Sequence, residues 1–175
     1  MNKYKDGIEV QPMSRQAIRD LTKTLRSYMG VSDNQKFPIM KFLEFVTPKI
    51  YEDFNYKILS KEEMKNKHGE TYPNKRIIHL RQDVYEGACN GNGRDLYTVA
   101  HEIGHFFMHA GDYSFARRAH EEFPVYENSE WQADVFAAEL LMPYTEIKNM
   151  RPADVSRIYG VSPTAAQVQC RIVNK

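Results

Sequence analysis

The sequence predicts an α+β fold in which a small β-sheet packs with several helices. Apolar residues recur at three- and four-residue steps in residues 14–28 and again after residue 95, as on amphipathic helices. Between them, residues 55–88 contain shorter stretches rich in β-branched and aromatic residues, which favour strands. A chain of 175 residues is long enough for one domain with a substantial core and too short to expect two full domains.

We expect residues 1–175 to form a single domain, because the sequence shows no internal repeat, low-complexity tract or linker rich in Pro, Gly or Ser. N-terminal helices are expected in residues 1–50 and C-terminal helices in residues 143–175. The sheet and the core that holds the candidate site are expected in residues 51–142.

Two helices are predicted before the sheet. Ser14 is a suitable N-cap for the first helix, and Gly30 lies just past its end. The stretch PIMKFLEFV, residues 38–46, predicts a second helix that ends before Pro48, because proline disrupts a helix interior. The sheet follows, with strands predicted in residues 55–64 and 75–88.

The segment between the two predicted strands, HGETYPN at residues 68–74, is predicted to be a turn. After the second strand, Asp95 is a plausible N-cap for a helix that continues to about His109. Gly111 and Asp112 are expected to end that helix.

Two further helical regions follow. Apolar residues at helical spacing predict a largely buried helix over residues 129–141. In residues 153–175, two helices are predicted on either side of a turn at Gly160, with Ser162 as a cap and Pro163 at the first helical position.

The composition excludes several classes of protein. Charged residues make up 27% of the chain and the formal net charge is +1, which argues against a nucleic-acid or membrane-surface binder. Cys89 and Cys170 form no CxxC pair, so we expect ordinary thiols in a reducing compartment. Since no signal peptide or apolar stretch of about 18 residues is evident, we expect a soluble, cytoplasmic protein without a membrane partner.

The helix predicted after Asp95 carries the pattern HExxH, formed by His101, Glu102 and His105. Four residues advance a helix by about 400°, so the two imidazoles project from nearly the same face. They can bind one zinc ion, with Glu102 beside the open position as a base. HExxH on a helix is a known metalloprotease motif, although two histidines can also hydrogen-bond within a core.

A catalytic zinc site needs a third protein ligand, for which the candidates are His109, His120 and a downstream acid. His109 lies two helical turns from His101, too far for three rings to meet one ion, so a packing, capping or orienting role is expected for it. The extended motif HExxHxxGxxH is not met, because Met108 and Gly111 occupy its glycine and third histidine positions.

Glu130 and Asp134 lie four residues apart, on one face of the helix predicted over residues 129–141. Burial of two acids costs several kcal/mol unless a cation or hydrogen-bond donors receive them. Glu130 can therefore be the third ligand, and Asp134 can accept the other N–H of His101 or His105 and so orient that ring. The alternative for Glu130 alone is a solvated position.

Two segments together resemble the ImmA/IrrE type of zinc metallopeptidase: TVAHEIGHFFMH and EWQADVFAAELLMP. This is a gluzincin-like group with an HExxH helix and a glutamate ligand on a second helix. The stretch VYEGACNGNGRDLYTVAHE and the tail YGVSPTAAQVQCRI are also similar to the family. The resemblance covers nearly the whole chain and implies a zincin-like minimal metallopeptidase domain.

By this resemblance, His101, His105 and Glu130 match the positions that bind a single zinc ion, and Glu102 matches the general base. The implied activity is that of a zinc endopeptidase. Its implied substrate is a helix-turn-helix transcriptional repressor, typically encoded beside the peptidase on bacterial mobile elements, phages or stress-response loci.

Two alternatives stay open. The first is a non-catalytic, zinc-containing regulator that binds a partner protein, against which the intact Glu102 argues. The second is DNA binding through the C-terminal helix pair, where only Arg171 and Lys175, at the end of the last helix, supply positive charge.

The sequence also leaves the group that stabilises the oxyanion unassigned, because spacing does not choose among the candidates. Residues 117–130 are polar and loop-like, and could form a wall of the cleft or a plain connection. The candidate donors are Tyr72, Tyr97, Arg117, His120 and Tyr126.

Overall fold

The computed structural model describes residues 4, 7–111 and 123–175. In these residues the fold is α+β, as predicted. Helices precede and follow a small three-stranded sheet along the chain, which is consistent with a zincin-like domain. The strands are β1 Asn55–Leu59, β2 Gly69–Tyr72 and β3 Ile77–Arg81. The α-helices are α1 Arg15–Tyr28, α2 Ile39–Lys41, α3 Thr47–Ile50, α4 Lys61–Met64, α5 Gln82–Cys89, α6 Gly93–Met108, α7 Ser129–Leu141, α8 Tyr144–Ile147, α9 Pro152–Tyr159 and α10 Pro163–Val173.

The sheet has the order β1-β3-β2, with β3 in the centre. β3 is parallel to β1 and antiparallel to β2, and Ile78 of β3 lies opposite Tyr56 on one side and Thr71 on the other. Ile78 and Leu80 are fully buried, so β3 contributes the apolar face of the sheet to the core. β2 is an edge strand.

Two predictions for the sheet region were wrong in detail. The turn predicted at residues 68–74 contains β2, in which Thr71 and Tyr72 favour a strand and pair with β3 although Gly, Pro and Asn lie close by in the sequence. The two predicted strands are shorter than expected, because each is followed by a helix. Ser60 and Glu63 form a capping box that begins α4, and α5 occupies residues 82–89.

The second N-terminal helix was predicted to end before Pro48, and this was also wrong. A π-helical turn at Phe42–Val46 joins α2 to α3, and helical structure continues to Ile50. In that turn the backbone N–H of Thr47 donates to Phe42, five residues back. The wider turn lets Pro48 lie in the first turn of α3, where its missing N–H is tolerated.

The helix that carries HExxH begins three residues earlier than predicted. Its N-cap is Asn92, whose side chain accepts hydrogen bonds from the backbone N–H groups of Arg94 and Asp95. Asp95, the predicted cap, lies in the first turn instead. The helix ends at Met108, as expected, while Asp112 lies outside the described residues.

α6 and α7 pack closely against each other and carry the residues of the candidate site. Gly104 of α6 faces Phe136 of α7, and a Cβ atom at residue 104 would lie 3.0 Å from the Phe136 ring. On its other side, α7 is held to α1 by Glu139, whose buried carboxylate accepts hydrogen bonds from Arg15 and Arg19. α7 is therefore fixed between two helices.

The C-terminal helices and their turn agree with the prediction. Ser162 caps α10 by accepting from Ala165, and Pro163 is its first residue. Cys89 and Cys170 are free thiols. Within the described part of the chain, no helix combines the length and the apolar character needed to cross a membrane.

Candidate metal centre

Three side chains from α6 and α7 bring their ligand atoms together. The Nε2 atoms of His101 and His105 lie 3.1 Å apart. The Glu130 carboxylate lies 3.2 Å from Nε2 of His101 and 3.3 Å from Nε2 of His105. The one-turn spacing of the histidines and the close packing of the two helices thus bring together three potential ligand atoms, from the residues that the sequence indicated as candidates.

The geometry of this cluster fits a zinc ion. A tetrahedral zinc with ligands at 2.0–2.1 Å places neighbouring ligand atoms about 3.3 to 3.4 Å apart. The three observed separations are 3.1, 3.2 and 3.3 Å. The donor set of two imidazoles and a carboxylate is also one that zinc prefers at catalytic sites, with a fourth position open.

The electrostatics of His101 and Glu130 favour a cation at the same place. Burial opposes a charge on His101, yet hydrogen bonds to Asp134 and Glu130 outweigh it and raise the pKa of His101 to about 10. Burial likewise opposes a charge on Glu130, but hydrogen bonds from His101 and His105 hold its pKa well below the usual value. The carboxylates therefore create a site that stabilises positive charge.

Asp134 orients one of the two histidines. Its Oδ1 atom lies 3.2 Å from Nδ1 of His101, the ring nitrogen on the side away from the cluster. A proton on Nδ1 then leaves Nε2 of His101 free as a ligand. The sequence left open whether Asp134 serves His101 or His105, and the structure places it against His101.

Glu102 lies beside the cluster and is held by β2. Its side chain is 6% exposed, and its carboxylate accepts a hydrogen bond of 2.6 Å from the hydroxyl of Thr71. A Cβ atom at residue 69 would lie 2.6 Å from Cγ of Glu102, so only glycine allows this close approach. The edge strand therefore fixes the position of the proposed base.

His109 does not join the three ligand atoms, which agrees with the helical geometry. Its Nδ1 lies 2.9 Å from Nδ1 of His105, and its Nε2 lies 3.1 Å from Oε1 of Gln132. The ring is 1% exposed, and burial lowers the pKa of His109 to about 3. His109 is therefore a neutral, buried neighbour of a ligand.

The start of α7 places Glu130. Asn128 caps this helix by accepting from the backbone N–H groups of Glu130 and Trp131. The N-terminal segment runs alongside: the N–H of Ile8 donates to the hydroxyl of Ser129, and the N–H of Ser129 donates to the carbonyl of Ile8. The third ligand is thus tied to residues more than 120 positions away.

The cluster opens into a cleft of about 390 Å³. Its walls include Ile8, Lys67 and residues 69–71 of the edge strand β2. Of the candidate oxyanion donors, Tyr97 lies away from the cleft and donates its hydroxyl to the backbone carbonyl of Asp134.

Among the described residues that line the cleft, neither Tyr72 nor Tyr126 is found. Arg117 and His120, the latter also a candidate third ligand, lie outside the described residues. The same holds for residues 117–122 of the segment considered as a wall of the cleft. Its described part forms a short 3₁₀ helix at Val125–Glu127.

Three residues of the site had no signal in the sequence. Gly69 and Thr71 lie in the stretch that was predicted to be a turn, and their contact with Glu102 depends on tertiary packing alone. No sequence pattern distinguished Gln132 from the other residues of α7. Only His109 carried a hint, because it continues the four-residue spacing of the motif.

Comparison with known proteins adds a family match. The sequence model of the M78 peptidase family, described as the IrrE N-terminal-like domain, matches residues 52–170. This segment is more than half of the chain and contains His101, Glu102, His105 and Glu130. No curated protein matches the chain.

Proposed function

The chain belongs to the M78 peptidase family, and from this premise we propose that it is a zinc-dependent endopeptidase that cleaves a protein partner. Family membership indicates a metallopeptidase-type function. One observation carries the more specific proposal: three potential ligand atoms converge at separations close to those in a tetrahedral zinc site, with a buried carboxylate beside them, in an open cleft.

In this proposal His101, His105 and Glu130 hold one zinc ion. When bound, the ion would polarise the scissile carbonyl and increase the acidity of a water molecule in the cleft. The two imidazoles must offer unprotonated Nε2 atoms, which the contact between Asp134 and Nδ1 of His101 favours for the first ring.

Glu102 acts as the general acid and base. Its carboxylate takes a proton from the attacking water and then delivers it to the nitrogen of the leaving amine. Thr71 holds the carboxylate in place by donating its hydroxyl hydrogen to it. Because Glu102 is nearly buried, few alternative positions are open to it.

The substrate is proposed to be a helix-turn-helix transcriptional repressor, on the basis of the resemblance to ImmA/IrrE peptidases. The cleft supports a substrate in extended conformation, because the edge strand β2 forms one wall. An unfolded or loop segment of a protein can add to such an edge through backbone hydrogen bonds. A folded helix would first have to unwind.

The test is to incubate the zinc-loaded protein with a repressor encoded beside its gene, and to identify the products by mass spectrometry. Glu102→Gln is the matched inactive control. We expect cleavage at a defined bond by the wild-type protein and about 10²- to 10⁴-fold slower cleavage by the variant. A second incubation with a mixture of unstructured peptides separates the two parts of the proposal: cleavage of peptides alone would support the peptidase and exclude that repressor.

The non-catalytic alternative is less well supported. A regulator that only binds a partner would have no use for a buried carboxylate held beside the open position of a metal site.

For DNA binding, the exposed face of α10 offers Arg171 as its only basic side chain, all of its residues being described, and Arg157 of α9 is paired with Asp154. Neither observation favours a second function.

A further inference from the structure

We propose that Gln132 and His109 act as a relay that fixes the tautomer of His105, so that its Nε2 atom is available to the metal. The inference rests on the proposed metal site and deepens it. It assigns a positioning role to two buried residues, His109 and Gln132, which are each 1% exposed.

The relay begins with the orientation of the Gln132 side chain. Its Nε2 atom lies 2.7 Å from the carbonyl oxygen of Gln11 and 2.8 Å from that of Tyr126. Both partners can only accept hydrogen bonds, so the amino end of the amide must face them. The Oε1 atom of Gln132 is therefore directed at His109, where it is an obligatory acceptor.

The protons of the two histidines then follow in sequence. Nε2 of His109 lies 3.1 Å from Oε1 of Gln132 and must carry a hydrogen. A buried neutral imidazole has only one N–H, so Nδ1 of His109 is a bare acceptor. His105 presents Nδ1 at 2.9 Å and must supply the hydrogen of this bond. Nδ1 of His105 therefore keeps its hydrogen, and Nε2 is the nitrogen left for the metal.

For His101, a different group holds the hydrogen on Nδ1. There the carboxylate of Asp134 accepts from Nδ1. The relay at His105 performs this orientation without adding another negative charge to a site that already contains Glu102, Glu130 and Asp134. When both Nε2 atoms are unprotonated, they and the Glu130 carboxylate are three acceptors at 3.1 to 3.3 Å, and a cation is the partner that satisfies all three.

A purely structural role would make a different prediction. If His109 only filled space, a ring of similar size would replace it without effect on the metal. The wild-type protein can be examined directly by ¹H–¹⁵N correlation of its histidine rings. We expect a hydrogen on Nδ1 of His105 and, on His109, a hydrogen on Nε2 and none on Nδ1, both in the zinc-loaded and in the metal-free protein. A bare Nδ1 on His105, or a proton on Nδ1 of His109, would overturn the relay.

Zinc affinity, measured by competition with a chromophoric chelator, provides the second readout. His109→Phe keeps a ring but no nitrogen, and we expect about 10- to 100-fold weaker binding. His109→Gln offers an acceptor for His105 and a donor for Gln132, so affinity should return towards the wild-type value. Met108→Leu, one residue away, is the packing control and should not change affinity. Wild-type affinity in His109→Phe would refute the proposal.

These readouts are independent of the peptidase activity. If the protein binds zinc with the expected tautomers but cleaves neither repressor nor peptides, the relay stands and the proposed function fails. If it cleaves them while His109→Phe retains full zinc affinity, the function stands and the relay fails.

Discussion

The hydroxyl of Thr71 donates a hydrogen bond of 2.6 Å to the carboxylate of Glu102. This contact joins the edge strand β2 to α6 at the point where the proposed base faces the cleft. It means that the base is positioned by the sheet as well as by its own helix. Substitutions in β2 should therefore affect catalysis without affecting the metal.

Thr71→Val removes the hydroxyl while keeping the shape of the side chain. We expect kcat to fall by about 10- to 100-fold, since a hydrogen bond to a charged group contributes roughly 1.5–3 kcal/mol. Zinc affinity should not change. Thr71→Ser, which keeps the hydroxyl, should retain most of the activity, and steady-state kinetics with a cleavable peptide compares the three proteins. Equal rates for the valine variant and the wild type would contradict the assignment.

Gly69→Ala tests the close approach between β2 and Glu102. The added Cβ would lie 2.6 Å from Cγ of Glu102, so the carboxylate must move. A displacement of about 1 Å at a reacting group can reduce the rate by roughly 100-fold. We expect a loss of kcat of that order with zinc still bound, measured by kinetics and by metal analysis on the same sample. An active alanine variant would show that Glu102 does not need this position.

Glu102→Gln replaces the proposed base with a neutral group of the same size. Cleavage should fall by about 10²- to 10⁴-fold, the usual contribution of a general acid and base. The three ligand atoms are unchanged, so zinc content should stay at the wild-type level. Cleavage at the wild-type rate in this variant would exclude the proposed mechanism.

Glu130→Ala removes the ligand that α7 supplies. We expect the purified variant to lose stoichiometric zinc by elemental analysis. Chelation of the wild-type protein should lower Tm, because a ligand at 100 times its Kd stabilises the folded state by about 2.7 kcal/mol, or about 5 to 10 °C for a chain of this size. In Glu130→Ala the chelator should leave Tm unchanged. Retention of zinc by the variant would require a different third ligand.

Asp134→Asn keeps an oxygen that can accept from Nδ1 of His101 but removes the negative charge. Zinc affinity should decrease by about 10- to 100-fold, as is typical when a group that orients a ligand is lost. Glu127→Gln removes an equal charge just before α7 and serves as the control, since Glu127 is not among the residues that contact His101 or His105. Unchanged affinity in Asp134→Asn would remove this residue from the site.

The two site helices could be predicted from sequence because their signals are local. The spacing of His101 and His105 fixes their common face, and the spacing of Glu130 and Asp134 does the same on the second helix. The predicted bounds of residues 129–141 agree with α7. Metal-binding and acidic side chains at helical spacing, together with a family resemblance, were sufficient to identify candidate residues.

The contacts around these residues could not be predicted, because they depend on tertiary packing. β2 was missed since Gly, Pro and Asn in the stretch HGETYPN indicate a turn, and the short strand is established only through pairing with β3. The helix through Pro48 was missed because a π-helical turn is not encoded by periodicity. The partner of His109 could not be found either, since Gln132 is 23 residues away.

The proposed zinc site takes two ligands from α6 and one from α7, and these helices touch where Gly104 meets Phe136. The binding of an ion would therefore depend on the distance between the two helices. Any substitution that separates the helices, however far from the cleft, should appear first as a faster release of zinc. The rate of metal dissociation would then reveal looser packing of the hydrophobic core well before unfolding could be detected.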